Sequence, residues 1–185
     1  HCASLHVWLG ERTTSYAIDP HRSADALEGV IGRDWSGVLS HDGYATYDRF
    51  ADATHQSCVA HVLRRARGLL DGARRGAVRF PRQVIELFTE AIHLRNEHLR
   101  GAVSLEALQD QGDVFDDRLA ELLSRPRRVA EHATFANHLS RHFEQWFTFL
   151  FHPVVEATNW LAEQAIRPAV VNRKVWGGNR TQAGA

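Results

Sequence analysis

The sequence predicts an α/β protein carrying a large all-helical insertion, and three observations lead there. Up to about residue 62, short β-rich stretches alternate with a single helical stretch. From about residue 83 the apolar residues recur at helical spacing, and the strand pattern stops. The length of 185 residues suits one domain with an insertion and a core that needs no staples.

Taken in order, "SLHVWLG" and "TTSYAID" are rich in β-branched and aromatic residues and are separated by the polar "ERT", so they predict a hairpin. In "SADALEGVIG", Ser23 is a candidate N-cap. Ala26, Leu27, Val30 and Ile31 follow at helical spacing, and Gly32 is a stop. "SGVLSHD" is a short apolar strand ending at Asp42, and "HQSCVAH" is a further strand running into an Arg-rich helix. Asp42-Gly43 leaves two readings open, because Asp-Gly between apolar segments is also a strong hairpin signal.

Val84, Leu87, Phe88, Ala91 and Ile92 share one helix face. His132, Ala136, Leu139, Phe143, Trp146, Phe147 and Leu150 predict an amphipathic helix over roughly 128 to 151, ended by Pro153, with its aromatics in the core. The last helix has Thr158 or Asn159 as cap and Leu161, Ala165 and Ile166 as its apolar stripe before Pro168. Glu163 and Arg167, four apart, share a face of that helix. These elements divide the chain into residues 1–62, a helical insertion 63–152, and a C-terminal part 153–185.

Lys plus Arg and Asp plus Glu both number 22, so no net field draws the protein to nucleic acid or membrane. The charge is nevertheless segregated. Residues 64–82 carry seven arginines against Asp71, residues 106–121 are acidic apart from Arg118, and residues 167–180 are basic with no acid. Two cysteines, Cys2 and Cys58, exclude a disulfide framework, and no apolar run is long enough to span a bilayer. A soluble intracellular, cytoplasmic protein is the expectation. The chain opens at His1 within a strand pattern, so a preceding part is expected. No P-loop follows a strand, and His93/His98 and His138/His142 lack a third ligand pattern.

Three blocks, "VLSHDGYATYDRF", "HQSCVAHVLRRAR" and "TNWLAEQAIRPAVVNRKVWGGNRTQAGA", occur in the order found in bacterial transposases of the insertion sequence 66 family, which the chain resembles. The last block carries most of the likeness through Thr158, Asn159, Glu163, Arg167, Pro168, Arg173, Lys174, Gly177 and Gly178, with Trp160 where a second Asn is usual. The resemblance implies a ribonuclease-H-like mixed sheet in which two Asp and one Glu hold two divalent metals, Mg²⁺ or Mn²⁺. Asp42 is then the second carboxylate and Glu163 the third, and the first lies in a strand upstream of His1. The chain as it stands is therefore expected to be inactive alone.

The chemistry needs such groups, since hard Mg²⁺ takes oxygen ligands. Two metals roughly 3.5 to 4 Å apart serve the attacking and leaving oxygens of an in-line displacement. Arg167, Arg173, Lys174 and Arg180, with Asn159 and Asn172, are expected to contact DNA phosphates, and Cys58 and His61 to support the sheet beside Asp42. Asp19, in an Asp-Pro turn, is a poor substitute for the first acid. The implied partners are transposon ends, target DNA and further copies in a synaptic complex. The alternatives are a noncatalytic DNA-binding or assembly remnant and a histidine-ligated hydrolase.

Overall fold

The structure is a computed structural model that describes residues 4–10, 12–19, 23–73 and 77–176. It is an α/β chain with two small two-stranded sheets, divided between two compact units. One unit draws on His1–Ser36, Tyr44–Asp52 and Asn159–Ala185, the other on Gly37–Gly43 and Ala53–Thr158.

In the first unit β1 (Ser4–Leu9) and β2 (Thr14–Asp19) pair antiparallel, from Ser4 opposite Asp19 to Leu9 opposite Thr14, which is the hairpin expected. The Gly10 N–H donates to the Thr13 carbonyl at 2.9 Å. A Cβ at Gly10 would lie 2.9 Å from the Thr13 hydroxyl, so a larger residue there would make that side chain shift.

Helix α1 (Asp25–Ile31) packs on β2 and buries Leu27. Ser23 is not its cap. Ala24 holds that position, while the Ser23 N–H and hydroxyl both donate to the Asp19 carboxylate, at 2.5 and 2.9 Å. The Asp19 carboxylate is thus occupied by two donors of Ser23. A 3₁₀ turn, Ala45–Arg49, is tied to α1 by Arg49, whose guanidinium reaches Asp25 at 3.2 Å and Glu28 at 3.1 Å. Helix α7 (Trp160–Trp176) lies on β1, and the Tyr16 hydroxyl donates to the Ala165 carbonyl at 3.3 Å. α7 runs through Pro168. Proline lacks the N–H that Gln164 would accept, so the helix continues with one ladder bond missing.

In the second unit β3 (Val38–His41) and β4 (Thr54–Ser57) pair parallel, with Val38 opposite Thr54 and His41 opposite Ser57. Then come α2 (Val59–Asp71), α3 (Arg79–Leu99), α4 (Leu105–Ser124), α5 (Ala130–Arg141) and α6 (Thr148–Phe151). α4 is capped by the Ser104 hydroxyl, which accepts from the Ala107 N–H. One apolar cluster joins these helices, and within it the Phe88 ring centroid lies 5.8 Å from that of Trp146 and 5.1 Å from that of Phe147. Each such ring contributes about 1.5–3 kcal/mol on burial. The aromatics are core, as their spacing predicts.

The single helix expected over 128–151 is broken. α5 ends at Arg141, a 3₁₀ turn spans Phe143–Gln145, and α6 is only four residues long. The reason is visible in β4. The buried Gln56 side chain accepts from the Phe149 N–H at 2.9 Å and donates to the Ser57 carbonyl at 2.7 Å. The Thr148 hydroxyl donates to the His55 carbonyl at 2.6 Å. These strand groups supply partners that a continuous helix would have found four residues back.

Candidate active site

Asp42 is the first residue after β3, and the pairing of that strand decides its character. A hairpin turn joins antiparallel strands, whereas β3 and β4 run parallel, so Asp42-Gly43 is not a hairpin turn. Gly43 has φ +82°, a conformation glycine adopts without strain, and it turns the chain away directly after Asp42. Parallel pairing also sets the carboxyl ends of β3 and β4 side by side. There the Cys58 N–H donates to the His41 carbonyl at 2.8 Å and α2 begins at Val59. Ligands of open α/β sheets bind at this edge of the strands. Asp42 is exposed on it.

His41 sits beneath this edge and is 3% exposed. Its Nδ1 accepts from the Gly43 N–H at 3.0 Å, so its proton belongs on Nε2, which donates to His55 Nδ1 at 3.0 Å. Burial first, then the neighbouring His55, lowers the His41 pKa to about 4, against a smaller upward pull from Asp42. His41 is therefore neutral at pH 7, and its ring fixes the turn that presents Asp42. Sequence reasoning missed this residue. Its only sequence signal was that it lies two residues after Leu39, on the same face of β3, and that did not show what its ring does.

Cys58, 2% exposed, immediately precedes α2, and His61 lies in the first turn, its N–H donating to the Cys58 carbonyl at 3.2 Å. Both adjoin the β3 and β4 ends.

Glu163 belongs to the first turn of α7, and its N–H donates to the Asn159 carbonyl at 3.1 Å. Its side chain is exposed and lines a depression of about 330 Å³ with Trp160, Gln164, Ile166, Arg167 and Val170. With 3.6 residues per turn, Arg167 and Lys174 share the Glu163 face, Arg173 lies on its flank, and Asn172 lies on the opposite face. The helix thus groups Glu163 with two of the cations expected to contact DNA and separates it from Asn172. Arg180 lies outside the described residues.

Asp42 and Glu163 are presented by different units. Among the described residues, no group of three His, Cys, Asp or Glu side chains is placed to hold a metal ion. In donor chemistry the two carboxylates suit a hard divalent cation, because each offers exposed oxygen ligands. Among the described residues, no helix is long and apolar enough to cross a membrane.

A family model described as "Transposase IS66 family" matches residues 3–185. No curated protein and no solved structure matches the chain.

Proposed function

Since the chain belongs to the Transposase IS66 family, we propose that it forms part of the catalytic core for metal-dependent cleavage and transfer of DNA strands. Asp42 and Glu163 act as two of the carboxylate ligands. The observation that carries this reading is the position of Asp42, exposed at the carboxyl end of a parallel strand and turned outward by Gly43.

Bound Mg²⁺ or Mn²⁺ would supply Lewis-acid stabilisation of the attacking and leaving oxygens, with Asp42 and Glu163 holding it. The protein's own groups do the rest. His41 holds the turn after β3, which orients the Asp42 carboxylate. Arg167 and Lys174, on the Glu163 face of α7, neutralise the phosphates flanking the scissile bond and set the register of the strand. Arg173 and Asn159 flank that face, and Asn172 contacts DNA from the other side of the helix. Cys58 and His61 support the strand ends. Water cuts at the transposon end, and the freed 3′-hydroxyl then attacks target DNA, with no covalent enzyme intermediate.

A ribonuclease-H-like sheet is the finer part of this reading. What supports it is the family match, with one antiparallel pair, β1–β2, and one parallel pair, β3–β4, each in its own two-stranded sheet. The helices from α3 to α6 would be an insertion in that core. The test is a strand-cleavage assay on the protein expressed from its full reading frame. Asp42→Asn and Glu163→Gln should each abolish cutting, and cutting at the wild-type rate in either sinks the assignment.

A further inference from the structure

We propose that the arginine-lined end of the second unit, where α2, the start of α3 and the loop between α4 and α5 meet, is a docking surface for the phosphate backbone of duplex DNA. Its residues take no part in the proposed site around Asp42. The inference rests on the family reading for the identity of the polyanion and on the structure for the surface itself.

Across 59–73 and 77–82 the chain exposes Arg64, Arg65, Arg67, Arg79 and Arg82, and Asp71 is the lone acid. Arg127 and the exposed Arg128 follow from the α4–α5 loop. Other exposed arginines are paired: Arg49 with Asp25 and Glu28, Arg100 with Glu97, Arg118 with Glu90 and, at the edge of this surface, Arg125 with Glu121. Among the described residues, Arg64, Arg67, Arg79, Arg82 and Arg128 have no carboxylate partner. A concentration of unpaired cations repels itself, and a polyanion relieves that repulsion.

The surface is also built rather than merely charged. The Arg65 guanidinium lies 5.0 Å over the Phe135 ring, Phe135 meets Phe80 edge-on at 5.9 Å, and the Arg127 guanidinium lies 4.1 Å over Phe80. Both rings are buried, so each offers its face to one cation from beneath. Arg127 also donates to the Leu122 carbonyl. Two planar guanidinium groups ordered in advance lose little entropy on meeting phosphate, which they bind in bidentate fashion. The positive field reaches the neighbouring imidazoles: His132, packed on Phe80, is pushed down by burial and then by Arg127, and His138 by burial, His142 and then Arg65.

The spacing suits a duplex. Arg64 and Arg67, like Arg79 and Arg82, are one helical turn apart, about 5–6 Å between Cβ atoms. DNA offers a charge for about every 1.7 Å of its axis. The acidic face of α4, with Asp110, Asp113 and Asp117 exposed, is the other surface of matching charge, and a second copy docking through it is the competing occupant.

The experiment measures binding of a labelled duplex of about 30 base pairs to the 185-residue chain by fluorescence anisotropy between about 50 and 200 mM salt. Replacing Arg64, Arg79 and Arg82 together by Gln should weaken binding about tenfold or more at low salt and lower the salt slope by about 2–3. Arg64→Gln and Arg79→Gln alone should each lower it by about 1. The corresponding triple Lys variant should keep the wild-type slope. An unchanged slope in the Gln variants, or equal losses in the Lys and Gln variants, overturns the proposal. So does sedimentation showing that the Gln variant dissociates a dimer while DNA binding persists. Should Asp42→Asn in the protein expressed from its full reading frame still cleave DNA, the site reading fails while the docking surface stands.

Discussion

Asp42 shows how a residue's surroundings choose between two roles that its sequence leaves open. Asp-Gly is good turn chemistry in either case, and only the parallel partner strand removes the hairpin. Both Asp42 and Glu163 are exposed, so Asp42→Asn and Glu163→Gln should change folding stability by less than about 1 kcal/mol in urea melts while abolishing strand cleavage. His138 makes a second prediction at this scale. Burial first, then His142 and Arg65, lower its pKa from 6.5 to about 4. A histidine whose folded value is depressed keeps its full contribution above its unfolded value, and loses it as pH falls from 6.5 toward about 4. Stability measured by urea melts should fall across that window, and His138→Gln should fall less steeply than wild type. Parallel curves would show that His138 does not titrate as its setting requires. His41 was invisible in the sequence as a positioning group, because its role depends on the Gly43 N–H and on His55, fourteen residues away.

Among the elements, those with local signals were legible and those made by tertiary contacts were not. The hairpin, the strand in "SGVLSHD" and the helix through Val84 to Ile92 follow from local pattern and periodicity, though β3 ends at His41 rather than Asp42 and α3 begins at Arg79 rather than about residue 83. The break between Arg141 and Thr148 does not, because it depends on Gln56 reaching the Phe149 N–H across 93 positions. Gln56→Leu should therefore cost about 2–3 kcal/mol in a urea melt, since it leaves buried backbone groups unpaired. A loss below about 0.5 kcal/mol would mean that the break has another cause. On α4, burial first and then Asp113 and Asp117 raise the Asp116 pKa to about 6 from an ordinary 3.8. The folded state penalises this charge above pH 6, so the group opposes the histidine trend: its cost is relieved as pH falls from about 6 toward 3.8. Asp116→Asn should stabilise the protein at pH 7 by on the order of 1 kcal/mol, allowing for solvent screening, and by less at pH 4. Thermal melts at the two pH values check this.

At the scale of the whole molecule, the family was legible because its blocks are short, ordered and chemically specific, above all the run from Thr158 to Lys174, and the family match over residues 3–185 agrees. The helical character of the middle was legible too, from its apolar period. The division of the chain into two units was not, because each gathers segments far apart in sequence. The two proposed carboxylates come from different units, which makes their convergence the central claim of the functional account. The most direct test is anomalous scattering from Mn²⁺ soaked into crystals of the protein expressed from its full reading frame, bound to DNA. The account predicts Mn²⁺ density shared by the carboxylates of Asp42 and Glu163, with two ions about 3.5 to 4 Å apart. Ions bound in a cleavage-competent complex that touch neither carboxylate would contradict it.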